Sequence, residues 1–206
     1  SLLSRLGRQE INEAVVGAES GLKGVMERVD LVARSDVPVL ILGETGTGKE
    51  VVSRAIHNRS ARASGPFIRV NCGAIPAELI DSQLFGHEKG AFTGAVARRI
   101  GKFEEANGGT LLLDEISEMD ARLQAKLLRA IQEKTVRPVG ASEEQRTDIR
   151  LLSATHKTLA TEVEAGRFRQ DLFYRINVID VRVPSLRERL EDLPALTSNI
   201  LKRICA

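Results

Sequence analysis

Apolar positions in this chain fall into short uniform runs separated by stretches of helical spacing. Leu22, Val25, Met26, Val29 and Val32 share one face of a helix predicted over Leu22–Arg34. Val39–Leu42, Phe67–Val70, Leu111–Leu113, Ile149–Leu152 and Val178–Val183 are too short for helices and read as strands. Leu123, Leu127 and Ile131, four apart, predict a further helix over Ala121–Lys134. Strands alternating with helices imply an α/β fold, a five-stranded, mainly parallel sheet between helices. Val39–Leu42 and Leu111–Leu113 are uniformly apolar, as central strands buried on both faces should be. Val178–Val183 alternates, with Asp180 and Arg182 between apolar neighbours, and is predicted at an edge. Residues 1–16 read as a lead-in and 17–206 as the α/β domain. A helical-looking stretch, Leu193–Ile204, runs to the end without a terminator, which predicts a fragment of a longer protein.

Composition removes several functions without choosing one. The chain has 206 residues, 42% hydrophobic and 28% charged, and a net charge of +2, so bulk charge makes no case for nucleic acid or a membrane surface. Aromatics are 3% with no Trp, too few for a base-stacking platform. Cys72 and Cys205 form no framework, and His57, His87 and His156 lack metal-site spacing. No apolar run approaches the roughly 18 residues of a membrane span, and no signal peptide is visible. A soluble, cytoplasmic protein without membrane contact is the expectation.

Two motifs change the picture. Gly43, Glu44, Thr45, Gly46, Thr47, Gly48 and Lys49 follow the first strand directly and open a helix, fitting the G-x-x-x-x-G-K phosphate loop in its required context. Glycines let backbone N–H groups curl around phosphates, the helix N-terminus adds positive potential, and Lys49 can neutralise the outer phosphates. Glu50 stands where Ser or Thr usually ligates Mg²⁺, so either Glu50 holds the metal, directly or through water, or another group does. The third strand ends in Asp114 and Glu115, an expected partner of such a loop: Asp114 to orient Mg²⁺, Glu115 to polarise the attacking water. Asn107, Gly108 and Gly109, leading into that strand, join the candidate nucleotide contacts. Gly90, Ala91, Phe92, Thr93, Gly94 and Ala95 build neither helix nor strand and predict a mobile loop that presents Phe92 beyond the domain.

With these residues in view, the chain resembles the central AAA+ ATPase domain of bacterial enhancer-binding proteins, the sigma-54-dependent transcription activators. The match rests on GETGTGKE, Asn71-Cys72, ELIDSQLFGHEKGAFTGA, GGTLLLDE, GRFRQDLFYR and VPSLRER, and spans nearly the whole length. LLRAIQEKTVRPVG, SATHK and RFRQDLFYRINVI are also similar to regulators of type IV pilus genes. The resemblance implies a P-loop NTPase of AAA+ type, with ATP and Mg²⁺ as cofactors and Glu acceptable after Lys49. It implies that Asn71 contacts Glu115 until the γ-phosphate is sensed, that Thr155 is the first sensor, and that Arg169 and Arg175 act in trans on a neighbouring subunit. Val16 and Gly17 would line the adenine pocket. His156 departs from the Asn often found there, which leaves its contact open. Gly90–Ala95 would touch sigma-54 within the RNA polymerase holoenzyme. A hexameric or heptameric ring is implied, with DNA bound through a domain outside this chain. The helical lid would begin where the chain ends, so weak nucleotide binding and poor hydrolysis are expected of this segment alone. A P-loop transferase, another AAA+ machine such as a helicase loader, and a regulator binding DNA through this segment remain as alternatives.

Overall fold

The structure, a computed structural model, describes residues 15–205. The first elements are α1 (Lys23–Ala33), β1 (Val39–Leu42), α2 (Lys49–Asn58), β2 (Phe67–Asn71), α3 (Ala77–Phe85) and α4 (Lys102–Glu105). β3 (Thr110–Asp114), α5 (Ala121–Glu133), β4 (Thr135–Val136), β5 (Gln145–Arg146) and β6 (Arg150–Thr155) follow. The chain closes with α6 (Leu159–Glu164), α7 (Gln170–Ile176), β7 (Ile179–Arg182) and α8 (Leu193–Ile204). Five strands form one sheet in the order β2-β3-β6-β1-β7, and every neighbouring pair is parallel.

Burial on both sheet faces explains the uniform apolar runs. Leu111 and Leu113 of β3 pack toward α3 to α7, whereas Leu112 packs on the other face with the α1 and α2 side chains Val29 and Ile56. The alternation of β7 marks an edge strand, with Val181 buried and Asp180 and Arg182 exposed. α5 begins where the Asp120 carboxylate accepts from Leu123 N at 2.8 Å, and stops at Lys134, whose φ of +52° leaves the helix. β6 runs further than the apolar pattern, which ends at Leu152. Ser153 and Thr155 are polar, yet β1 pairs with them through Leu40 and Leu42, and both are buried. The β4–β5 hairpin, paired antiparallel, is too short to leave a periodic signal.

Arg150, at the amino end of β6, is fully buried and donates to Val32 O at 2.6 Å and Ala33 O at 3.3 Å. Its guanidinium thus satisfies carbonyls at the C-terminus of α1, where the helix leaves acceptors without partners. Burial holds its ionisation below the usual guanidinium value. Truncation would open a cavity and take the guanidinium from Ala33 O, while Val32 O keeps its bonds from Ser35, so Arg150→Ala is expected to cost about 3 kcal/mol, most of it from the cavity. Urea unfolding tests this; a variant within about 0.5 kcal/mol of wild type would leave Arg150 no anchoring role.

Candidate functional site

Parallel pairing gathers the strand ends that hold the chemistry. The ladders set Leu42 beside Thr155 and Asn71 beside Asp114, so four carboxyl ends share one rim of the sheet. Gly43 leaves β1 there, and its N–H donates to Thr155 O at 3.3 Å. Gly46 and Gly48 adopt φ of +82° and +97°, with open space where a Cβ would stand. Backbone conformation, not room, therefore requires glycine at both. Lys49 opens α2 and is buried inside its own loop, donating from Nζ to Gly43 O at 2.9 Å and Glu44 O at 3.1 Å. Thr47 closes the loop through Oγ1 to Glu44 O at 2.9 Å. Thr45 sits at its exposed tip.

The segment after β7 braces this loop from outside, a role the sequence reading missed. Arg189, buried, donates to Thr47 O at 2.8 Å and lies 3.5 Å from the carboxylate of Asp192. Asp192 in turn accepts from the Ser20 hydroxyl and from Gly21 N. Arg187 pairs with Glu44 and holds that carboxyl below its usual range. Val16, half-buried, and Gly17 lie in the turn that precedes α1, on the same brace. Gly17 has φ of +89°, and a Cβ there would stand 2.2 Å from the Asp192 carboxylate, so close approach fixes its identity.

Glu115 adopts left-handed φ/ψ of 53° and 48°, uncommon without glycine, immediately after β3. Its carboxylate lies between Lys49 Nζ, 3.7 Å away, and His156 Nδ1, 2.6 Å away. His156 therefore takes the contact expected of Asn71. No hydrogen bond joins Asn71 to Glu115 among the described residues; its Oδ1 accepts from Gly73 N at 3.0 Å and Ala74 N at 3.2 Å instead. The reason is local: β2 turns sharply after Asn71, and an Asn side chain caps its own turn readily. Thr155 is buried, 3.0 Å from Ser117 Oγ and accepting from Lys157 N at 3.0 Å. Cys72 is buried beneath the rim, and its thiol is pushed up to about 12 by burial, with Asp114 and Glu115 adding to the shift.

Glu50 and Asp114, the expected Mg²⁺ ligands, face one another across Arg69. Arg69 Nη1 lies 2.7 Å from Glu50 Oε2, and Nη2 lies 2.7 Å from Asp114 Oδ2. Asp114 holds the Arg69 guanidinium above its ordinary value. Two carboxylates turned onto one cation are a hard-oxygen donor set that suits Mg²⁺, which usually takes one or two protein carboxylates and completes its shell with phosphate and water. Among the described residues no cluster of three or more His, Cys, Asp or Glu could hold a metal without such additions.

The Gly90–Ala95 loop lies between α3 and α4 and is folded rather than featureless. Gly90 N donates to Ala95 O at 2.8 Å, and Ala95 N to Phe92 O at 3.0 Å. Below it, His87 and Arg99 exchange backbone hydrogen bonds of 3.0 and 2.9 Å. Phe92 is 40% exposed, with its ring edge-on to His87 at 4.9 Å. Gly90 and Gly94, at φ of +81° and +100°, supply the left-handed corners that close the loop. Composition alone predicts mobility because it does not register this closure.

Three expected nucleotide contacts stand elsewhere. Asn107, Gly108 and Gly109 precede β3, at the opposite end of the strands from the phosphate loop, and this corrects their assignment. Asn107 Oδ1 accepts from Asp148 N at 2.7 Å, Gly108 N donates to Asp148 O, and a Cβ on Gly109 would stand 2.0 Å from Pro66 O. Tight packing requires glycine at 109, and a φ of +78° favours it at 108. Arg169 and Arg175 also have no hydrogen bond or ion pair to Lys49, Asp114 or Glu115 among the described residues. Arg169 pairs with Asp171 at 2.7 Å. Arg175 is exposed and borders a cavity of about 300 Å³ with Arg62, Lys134 and Asp148.

The Sigma-54 interaction domain family matches residues 15–182. The response regulator protein PilR of Pseudomonas aeruginosa is 53% identical over 205 residues, which cover 97% of this chain and 46% of that protein. The transcriptional regulatory protein ZraR of Escherichia coli is 53% identical over 189 residues, 92% of this chain and 43% of its own length. The chain thus spans a little under half of these curated relatives. Brucella abortus NtrX in complex with ADP superposes with a TM-score of 0.87 at 36% identity, over 98% of this chain and 45% of that one. The P-loop NTPase domain of a sigma-54 activator from Escherichia coli shares the fold at 20% identity and a TM-score of 0.55, over 82% of this chain and 97% of that one. Fold, phosphate loop and similarity agree, and the chain belongs to the Sigma-54 interaction domain family.

Proposed function

We propose that this domain binds and hydrolyses ATP and uses the cycle to press its Gly90–Ala95 loop against sigma-54, remodelling the RNA polymerase holoenzyme. The observation that supports this most directly is spatial. Lys49, Asp114 and Glu115 share one rim of the sheet, and the chain between β2 and β3, whose ends form part of that rim, holds the loop. The phosphate loop and Lys49 bind the phosphates, with Lys49 exchanging its loop carbonyls for them. Asp114 and Glu50 would hold Mg²⁺, which offsets phosphate charge. Glu115 accepts a proton from the attacking water and is released by the phosphates from Lys49. Thr155 and His156 lie beside that event, and Asn71 couples it to the start of the α3 segment through its cap on Gly73 and Ala74.

Arg169 and Arg175 complete the active site of the next subunit in a ring. Guanidinium groups suit developing phosphoryl charge, and such fingers contribute roughly 10³–10⁵ in rate in GTPases. Arg169 leaves Asp171 to do so, whereas Arg175 has no ion pair to give up among the described residues. DNA is bound by another part of the longer protein.

Trapping with ADP and a metal fluoride in the presence of purified sigma-54 tests this reading, in protein extended to the length of its relatives. Wild type is expected to form a stable complex. Thr93→Ala is expected to hydrolyse ATP at close to the wild-type rate but to hold sigma-54 in the trapped complex at least tenfold more weakly, a loss of about 1.4 kcal/mol or more. No nucleotide-dependent complex with wild type would sink the proposal.

A further inference from the structure

Arg69 has no assigned part in nucleotide chemistry, yet it stands between the two side chains assigned to the metal. We infer that Arg69 is a resident counter-cation that occupies the divalent site in the absence of Mg²⁺ and is displaced when the metal enters. The inference rests on the nucleotide reading above and on the geometry of one guanidinium.

The two arms of Arg69 divide between the two carboxylates. Nη1 meets Glu50 Oε2 and Nη2 meets Asp114 Oδ2, each at 2.7 Å, the length of a charge-assisted hydrogen bond. The remaining carboxylate oxygens are committed: Glu50 Oε1 accepts from Arg54 at 3.2 Å, and Asp114 Oδ1 accepts from Glu115 N at 3.1 Å. Arg69 thus holds the oxygen of each carboxylate that these neighbours leave open. Mg²⁺ binds oxygen at about 2.0–2.1 Å and brings two charges, so it competes with the guanidinium for these atoms and repels it at that range.

The arrangement follows from the fold. Glu50 is fixed at the first turn of α2 and Asp114 at the end of β3, and β2 lies beside β3, so the carboxylates approach one another whether or not a metal is present. Like charges held together need a counter-charge. Arg69 supplies it from edge strand β2, where its side chain is 38% exposed and free to swing toward water. Free metal must then evict an internal cation, whereas metal arriving on a nucleotide brings phosphate ligands that help to do so. Arg69 therefore biases the site toward the metal–nucleotide complex.

Mn²⁺ binding, followed by electron paramagnetic resonance on the full chain, tests this without reference to turnover. Arg69→Ala is expected to bind free Mn²⁺ about tenfold more tightly than wild type. Arg54→Gln, which removes a nearby charge from Glu50 without touching Asp114, is expected to shift it less than about twofold. Far-UV circular dichroism checks that both variants are folded, as substitutions at exposed positions should be. Unchanged or weaker Mn²⁺ binding by Arg69→Ala would overturn the inference and make Arg69 a support for the ligands. An equal shift in Arg54→Gln would overturn it too, because long-range charge would then suffice. ADP affinity in metal-free buffer separates the two levels. No ADP binding by wild type removes the nucleotide reading, whereas ADP binding with unaltered Mn²⁺ affinity in Arg69→Ala removes only the displacement by metal.

Discussion

Glu115→Gln is expected to slow ATP turnover about a thousandfold while leaving ATP affinity unchanged or slightly improved. A general base contributes roughly 10²–10⁴ in rate, and the amide keeps the shape of the side chain but cannot take a proton. His156 still finds an acceptor in the Gln side-chain oxygen, so the left-handed turn at 115 retains its tether. Lys49, however, loses the negative charge 3.7 Å from its ammonium, which frees it for phosphate. Binding and rate should therefore move apart, a pattern that loss of folding cannot produce. Phosphate release in single turnover, with titration of a fluorescent ATP analogue, reads both quantities. A variant within tenfold of the wild-type rate would show that another group activates the water, and His156 would become the first candidate.

How much of this was legible in the sequence depends on how local each signal is. The phosphate loop needs only consecutive residues after an apolar strand, and the structure has Gly43–Lys49 in that form. Central and edge positions are encoded in part, because two-sided burial leaves a uniform run in β3 and an edge leaves alternation in β7, whereas edge strand β2 shows no alternation. Contacts between distant segments leave no such trace. Nothing near Arg69 announces that β2 will place it against both Glu50, on α2, and Asp114, on β3. Arg69 is matched with Leu112 in the ladder and reaches Asp114 diagonally, two positions along the neighbouring strand, which no run of sequence marks. The exchange of roles between Asn71 and His156 is similarly non-local, because Asn71 is drawn into its own turn and leaves Glu115 to the strand on the other side of β3. Asn107–Gly109 were misplaced for the opposite reason: proximity in sequence to Asp114 hides a full strand of separation in space. Arg189 closes the quoted motif VPSLRER and Asp192 lies three residues beyond it, yet the target of the brace, a backbone carbonyl of the phosphate loop, has no sequence signature.

Lys49→Ala is expected to weaken ATP binding about a hundredfold and to remove most of the stabilisation that nucleotide confers. Within its own loop the ammonium is already desolvated, held by two carbonyls and the Glu115 carboxylate, so its transfer to phosphate exchanges one set of charged hydrogen bonds for a stronger one. Alanine offers no such exchange, and it also leaves Glu115 facing the phosphates without a cation between them. At an ATP concentration about 100 times the wild-type dissociation constant, linkage gives wild type about 2.7 kcal/mol and the variant about 0.4 kcal/mol. For a domain of this size that is an increase in Tm of about 7 °C against about 1 °C. Differential scanning fluorimetry with and without ATP reads the difference, and the nucleotide-free melts show whether the substitution disturbs the fold itself. If ATP raised both Tm values equally, the loop backbone alone would be binding the phosphates, and the buried lysine would serve only to hold Gly43 and Glu44 in place.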